Sequence, residues 1–308
     1  MPADIKARPS GNDDARAKKM QELFSRIEAG VSGVFTSDNY RSYLRTMAKF
    51  HRYSARNCLL IHLQRPEATM VAGFDAWKKK FHRHVLAGEK GITIIGYALK
   101  SSTLRKPLRD EKGDPVIGDD GKPAIEYVKH SYPVYFPVYV YDVSQTEGEP
   151  LPQLVHDLEG DVASYQDFLA SCRKLSPYPI EFENIASPNV RGYCSFEEQR
   201  IVVRSGLSQV QTAKTVLHEI THAILHNEGD AKTRAEKELE AESAAFVICS
   251  HYGIDTSEYT FPYLASWCRQ ERDKLERCLD AIQKHAFSVI EQLDASMLEL
   301  EKAKADRS

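Results

Sequence analysis

The sequence predicts a two-domain chain of the α+β class, and three observations lead there. At 308 residues it is long for one hydrophobic core and comfortable for two. Residues 1–150 hold 24 Lys/Arg against 18 Asp/Glu, whereas residues 151–308 hold 17 against 26, so the charge changes sign midway. Helical spacings of three and four, and short β-branched or aromatic runs, occur in both halves.

Residues 1–18 are polar and rich in Asp, Lys, Arg and Ala, and are expected to form a mobile tail. Residues 19–64 read as helices, with Leu23, Ile27, Tyr40, Tyr43, Leu44 and Met47 at helical spacings. Ser54 precedes a second apolar run, Cys58 to Leu63, which Pro66 stops. A short helix is expected near Phe74 to Phe81, a turn at 88–91 and a β run at Ile92 to Ile95. Between Arg105 and His130 lie two similar turns, Lys112-Gly113-Asp114-Pro115 and Asp120-Gly121-Lys122-Pro123, spaced like a hairpin excursion and lacking EF-hand spacing. A strand from Tyr132 to Asp142 follows, then a polar linker from Gln145 to Pro152, which places the domain boundary near 150. The expected domains are therefore 19–150 and 151–308.

The second half opens with a helix near Asp161 to Lys174, then strands near Ile180 to Phe182 and Arg200 to Arg204. Helices at about 209–226, 234–252 and 262–301 finish it. No run of 18 apolar residues occurs and the polar N-terminus has no apolar leader core, so a cytoplasmic protein without a membrane partner is expected. The six cysteines form no CxxC pair, which fits reduced, buried thiols.

The sharpest chemical signal is His218-Glu219-Ile220-Thr221-His222. Histidines four apart on a helix share a face and can share one metal ion. Ser208 with Gln211 opens such a helix and Asn227 to Gly229 is a plausible stop; Ala213, Val216, Leu217, Ile220 and Ile224 form its apolar face. A catalytic zinc wants three protein ligands and an open position. The next helix, opened by a Thr233/Glu236 capping box, offers Glu238, Glu240 and Glu242. Leu239, Ala245, Phe246 and Cys249 define its expected buried stripe, which takes in Glu242 and leaves Glu240 among solvated neighbours. A carboxylate on an apolar face needs a partner, and zinc is one, so Glu242 is the expected third ligand. Glu238, one turn earlier, is the expected acceptor that orients a ligand histidine.

This constellation resembles the gluzincin metallopeptidases, in which a glutamate on a following helix completes the HExxH site; Glu242 lies twenty residues after His222. The resemblance implies a Zn2+ cofactor, a peptide or protein substrate, and Glu219 as the general base that takes a proton from the attacking water. The strand Ile201 to Arg204 resembles the edge strand on which such enzymes align substrate. Tyr193, His251 and Tyr259 are candidates for a transition-state stabiliser.

From Arg41 to Lys106 there are 14 basic residues, opposed by Glu67, Asp75 and Glu89 alone. They are interleaved with aromatic residues, most densely at Trp77-Lys78-Lys79-Lys80-Phe81-His82-Arg83. Cations that follow phosphates and rings that stack on unpaired bases are what single-stranded nucleic acid requires. The expected contacts are Arg52, Arg56, Asn57, Trp77, Lys78, Lys79, Lys80, Arg83 and Lys90.

The order Ser54, Asn57, Leu59, Gln64, Pro66, Ala68, Thr69, Val71, Gly73, Phe74, Trp77, Val85, Gly88, Glu89, Lys90, Gly91, Ile92 resembles the N-terminal single-stranded DNA-binding domain of ArdC-type antirestriction proteins. Tyr141 to Thr146 is similar to the segment closing that domain, and the HExxH helix is similar to the family's zincin-like C-terminal domain. The likeness covers roughly residues 20–260. It implies a mobile-element protein that binds single-stranded DNA during conjugation and protects it from host restriction. A regulatory zinc peptidase that cleaves a repressor or restriction protein, with the N-terminal domain as a docking module, is the alternative.

Overall fold

The structure, a computed structural model, describes residues 11–34, 37–117, 121–151, 162–226, 231–257, 259, 261 and 272–306. It is mixed α+β. In chain order the elements are α1 (Gly11–Val34), α2 (Ser37–Lys49), α3 (Ala55–Gln64), β1 (Val71–Gly73), α4 (Phe74–Lys80), β2 (Arg83–Val85), β3 (Ile92–Pro107), β4 (Ile125–Asp142) and β5 (Thr146–Gly148). Then come α5 (Val162–Leu175), β6 (Ile180–Glu183), β7 (Gly192–Ser195), β8 (Arg200–Arg204), α6 (Gln209–Leu225), α7 (Arg234–His251) and α8 (Arg272–Ala305). Among the described residues no helix is long and apolar enough to cross a membrane.

The chain forms two compact units, one of Met1–Leu23 with Thr93–Tyr139 and one of Phe24–Ile92 with Val140–Ser308. In the first, β3 and β4 make a long ribbon. The start of α1 lies on it, with the Arg16 guanidinium 5.8 Å from the Phe136 ring centre and the Lys19 ammonium 5.1 Å from that of Tyr139. Residues 11–18, expected in a mobile tail, are the first turns of α1, which suits the helix-forming Ala, Arg and Lys of this stretch; residues 1–10 lie outside the described residues. The ribbon extends far beyond the expected runs because cross-strand pairing carries the polar stretch after Gly96, which has no apolar alternation to announce it. At its far end Leu108 donates to the Ala124 carbonyl and Val116 to that of Leu108.

In the second unit α2 buries Tyr40, Tyr43, Leu44 and Met47, all fully covered, against α3 and α7. Ser54 caps α3 by accepting the Asn57 N–H. Asp142 ends β4 and ties down the chain before β1: its carboxylate accepts the N–H groups of Thr69 and Met70 as well as both donors of Ser144. The stretch expected as a linker is ordered at its start, where Val143–Gln145 is a capped 3-10 turn and β5 pairs antiparallel with β2; Pro152 lies outside the described residues.

Around α7 pack α2, α6 and α8, while α5 packs on α8 and α6. A small sheet of order β6-β8-β7 supports α6, with β8 parallel to β6 and antiparallel to β7. The third C-terminal helix runs from 272 to 305, and residues 262–271 of its expected span lie outside the described residues, as do Asp120 and the expected stop at 227–229. Four cysteines (58, 172, 249, 278) are buried and Cys194 is half-buried, all as free thiols; Cys268 is outside the described residues.

Candidate metal centre

Helix α6 begins where Ser208 accepts the Gln211 N–H, and it buries Ala213, Val216, Leu217 and Ile220 against its neighbours. Ile224, expected on that face, is 43% exposed. Thr221 is fully covered, bonded to the Leu217 carbonyl and to Nε2 of His285. With the helix held on that side, His218 and His222 project into a cleft of about 800 Å3.

Their Nε2 atoms stand 3.1 Å apart. The Oε2 atom of Glu238, from α7, lies 3.5 Å from Nε2 of His218 and 3.8 Å from Nε2 of His222. Two nitrogens held about 2.0–2.1 Å from one tetrahedral ion would be about 3.3–3.4 Å apart, so the two imidazoles and this carboxylate have the spacing of one ligand set. Glu242 sits elsewhere: its Oε2 is 3.1 Å from Nδ1 of His218, the ring nitrogen that points away from the other two groups. The geometry thus exchanges the expected parts of the two glutamates, with Glu238 facing both metal-directed nitrogens and Glu242 placed to orient an imidazole. The cause lies in the burial of α7. It is enclosed over most of its surface, so no single stripe exists from which the metal-facing carboxylate could be read.

Glu240 departs most from expectation. Read as solvated, it is 2% exposed. Its Oε2 meets Nε2 of His226 at 2.9 Å and accepts from Lys232 Nζ at 2.7 Å, and Nδ1 of His226 meets Nδ1 of His222 at 2.9 Å. This chain of contacts orients the second histidine as Glu242 orients the first. His226 is absent from the expected site residues; it caps the C-terminal end of α6, four residues beyond His222.

Glu219 is buried beside the histidines, and its carboxylate accepts the Cys194 backbone N–H. Burial raises its pKa, more than the neighbouring histidines lower it. Burial acts to lower the His218 pKa, but Glu238, Glu242 and Glu219 outweigh it and push the imidazole up to about 10. Three carboxylates around one pair of imidazoles leave a local deficit of positive charge.

The cleft wall opposite α6 is β7, with Val190 and Arg191 leading into it. It is an outer strand of its sheet, while the stretch expected as the edge, Ile201 to Arg204, lies in β8, which is central. Gly-Tyr-Cys-Ser is too short and mixed to be read as a strand beforehand. At Gly192 an added Cβ would lie 2.6 Å from Thr215 Cγ2 and 2.9 Å from the Val202 carbonyl oxygen, so glycine permits the close approach of strand and helix.

Of the three candidate stabilisers, Tyr193 and Tyr259 line the cleft and His251 does not; its Nδ1 faces the Ala48 carbonyl and its ring packs on His51. The Tyr259 hydroxyl is 3.7 Å from Cys249 Sγ, and burial raises its pKa well above the ordinary value. Lys214, one turn before His218, also lines the cleft, its Nζ 5.0 Å from the centre of the Tyr259 ring.

The expected nucleic-acid contacts separate into groups. Trp77 is fully covered and donates Nε1–H to the Tyr141 carbonyl, so it is a core residue and cannot stack on a base. Asn57 is buried at the start of α3. Arg83 donates to Thr146 and to the carbonyls of Gly148 and Glu149 and serves the β2–β5 junction. Arg52 and Arg56 pair with Glu291 and Glu276 of α8 at 2.8 and 3.0 Å. Lys78, Lys79, Lys80 and Lys90 are exposed, Lys79 at 3.8 Å from Asp75.

Two family models match the chain. Residues 13–141 match the N-terminal domain of anti-restriction factor ArdC, and residues 177–262 match the IrrE N-terminal-like domain of peptidase family M78. An uncharacterized Bacillus anthracis protein, pXO2-81, is 24% identical over 92% of this chain and 53% of its own length, so the chain spans about half of that curated relative. Among solved structures, the metal-free crystal structure of Antirestriction ArdC protein from R388 plasmid aligns with a TM-score of 0.50 at 20% identity, covering 80% of this chain and 86% of that one. The Mn(II)-bound structure of the same protein aligns with a TM-score of 0.46 at 18% identity, covering 80% and 85%.

Proposed function

We propose that this chain, an ArdC-type protein with an IrrE-like second domain, acts in the cytoplasm as an antirestriction protein of a mobile element. In this reading its N-terminal part binds single-stranded DNA, and its second part holds zinc in a metallopeptidase-type site. The two functional parts meet near residue 150, between the ends of the matched segments at 141 and 177. The observation that carries the reading is the convergence of His218 Nε2, His222 Nε2 and Glu238 Oε2 on one point at the floor of an open cleft.

Two imidazoles and one carboxylate are a donor set of catalytic zinc sites, and manganese tolerates the same donors. A divalent ion held there supplies Lewis acidity and activates water at neutral pH. The protein's own groups do the rest. Glu242 holds His218, and His226 with Glu240 holds His222, so that both Nε2 atoms stay aimed at the cleft. Glu219 receives a proton from the attacking water and returns it to the leaving amine; its raised pKa suits both directions of transfer. An extended substrate pairs with the outer edge of β7, across from α6.

The test compares wild type with Glu219→Gln for bound ion, oligonucleotide binding and cleavage of a peptide library. The substitution is expected to keep the ion and the DNA and to abolish cleavage. Wild type that holds the ion but cleaves nothing contradicts the peptidase part, and wild type that binds no single-stranded oligonucleotide at low salt contradicts the DNA-binding part.

A further inference from the structure

Burial of Trp77 leaves the proposed DNA-binding role without its expected stacking ring, and exposed rings are found instead on the β3–β4 ribbon. Tyr97 is 68% exposed, Tyr127 66% and Tyr135 57%. They share one face. Gly96 sits across from Phe136, the Tyr97 and Tyr135 ring centres are 6.4 Å apart, Arg105 lies over the Tyr127 ring, and Leu108 bonds to Ala124. All four contacts belong to a single antiparallel register, so odd-numbered residues of both strands point to the same side. The opposite side carries Val128, Val134, Phe136 and Val138, all partly covered.

The tyrosine face spans about 26 Å from Tyr127 to Tyr135 at about 3.3 Å per residue. Its charged strand residues, Arg105 and Lys129, are both basic, and Glu126 falls on the other side. The guanidinium of Arg105 lies 5.8 Å from the Tyr127 ring centre, so a planar cation already occupies the position a base would take beside that ring. We infer that this face of the ribbon, Tyr97, Tyr127 and Tyr135 flanked by Arg105 and Lys129, is a stacking platform for single-stranded DNA. Rings suited to unpaired bases and cations suited to phosphate, without an acidic group between them, fit that ligand. The inference rests on the proposal that this chain binds single-stranded DNA, and it places the contact on the β3–β4 ribbon.

The test uses the full chain and fluorescein-labelled oligo-dT, with anisotropy read over a salt series. The triple variant Tyr97→Ala/Tyr127→Ala/Tyr135→Ala is expected to bind at least tenfold more weakly with an unchanged salt slope. Arg105→Glu/Lys129→Glu is expected to bind more weakly with a slope reduced by about two. All five side chains are exposed, so melting temperatures should match wild type; if the triple variant melts lower, the single variants Tyr97→Ala and Tyr127→Ala, each expected to weaken binding severalfold, replace it. Wild-type affinity in these variants overturns the platform while the DNA-binding reading stands. A wild type that binds no oligonucleotide at low salt overturns both. Concentration-dependent self-association of wild type, abolished in the triple variant with DNA binding intact, makes the face a contact between copies and also overturns the inference.

Discussion

Glu242 meets His218 at Nδ1, 3.1 Å away, on the side of the ring opposite Glu238. A neutral imidazole that ligates through Nε2 carries its proton on Nδ1 and needs an acceptor there. Glu242 is placed to be that acceptor, and its distance along α7 from Glu238, four residues, lets one helix supply both the proposed ligand and the group that aims another. His222 is served differently, through His226 and Glu240 on to Lys232.

That second arrangement predicts a stability effect distinct from metal binding. Glu240→Ala leaves Nε2 of the buried His226 without the carboxylate it meets and removes one partner of Lys232, at a cost of about 1–3 kcal/mol. Thermal denaturation of the chelator-treated protein should show a clear fall in melting temperature, with Glu240→Gln closer to wild type. Unchanged melting in Glu240→Ala would contradict the structural role given to this contact.

Gly192→Ala is expected to separate β7 from α6, because the new methyl group meets the Val202 carbonyl, which belongs to a paired strand and cannot rotate away. Overpacking of this kind costs about 1–3 kcal/mol. The Cys194 N–H that holds Glu219 should move with the strand, so amide exchange at Cys194 should accelerate. Exchange as slow as in wild type would show that the approach is not tight.

Asp142 gives a pH prediction. Burial raises its pKa, but the Ser144 hydroxyl and the amides of Thr69, Ser144 and Met70 overcome this, so the net shift is downward. A folded-state pKa below the unfolded value of about 3.9 means that the carboxylate contributes stability above that value and loses the contribution as pH falls through the folded pKa. Asp142→Asn should therefore be less stable than wild type at neutral pH. The gap should narrow only below about pH 4. A gap that stays constant from pH 7 to the acid transition would contradict the assignment.

Much of this was legible in the residues, and the failures share a cause. The HExxH helix with its Ser208 cap, the Thr233/Glu236 capping box and the strands at 180 and 200 follow from local chemistry, which is why their bounds differ from expectation by little; the reciprocal half of a capping box is absent at Ser208, where the Gln211 N–H alone is bound. The roles of Glu238, Glu240 and Glu242 were not legible. They depend on which sides of α7 are enclosed by α2, α6 and α8, and α2 comes from a part of the chain remote in sequence. Trp77 shows the same limit in another form: lysines beside a ring look like a nucleic-acid site whether the ring faces water or the core, and here it faces the core. The exposed tyrosines of the ribbon, by contrast, lie in strands whose polar middle gave no periodic signal.

The most direct measurement of the central claim is the metal content and zinc affinity of wild type, Glu238→Ala and Glu242→Ala, by elemental analysis and chelator competition. Wild type should hold one ion per chain. Glu238→Ala should hold none after dialysis, and Glu242→Ala should keep the ion with affinity lower by about 10–100-fold. An ion retained at wild-type affinity in Glu238→Ala and lost in Glu242→Ala would contradict the ligand set and return the third position to Glu242.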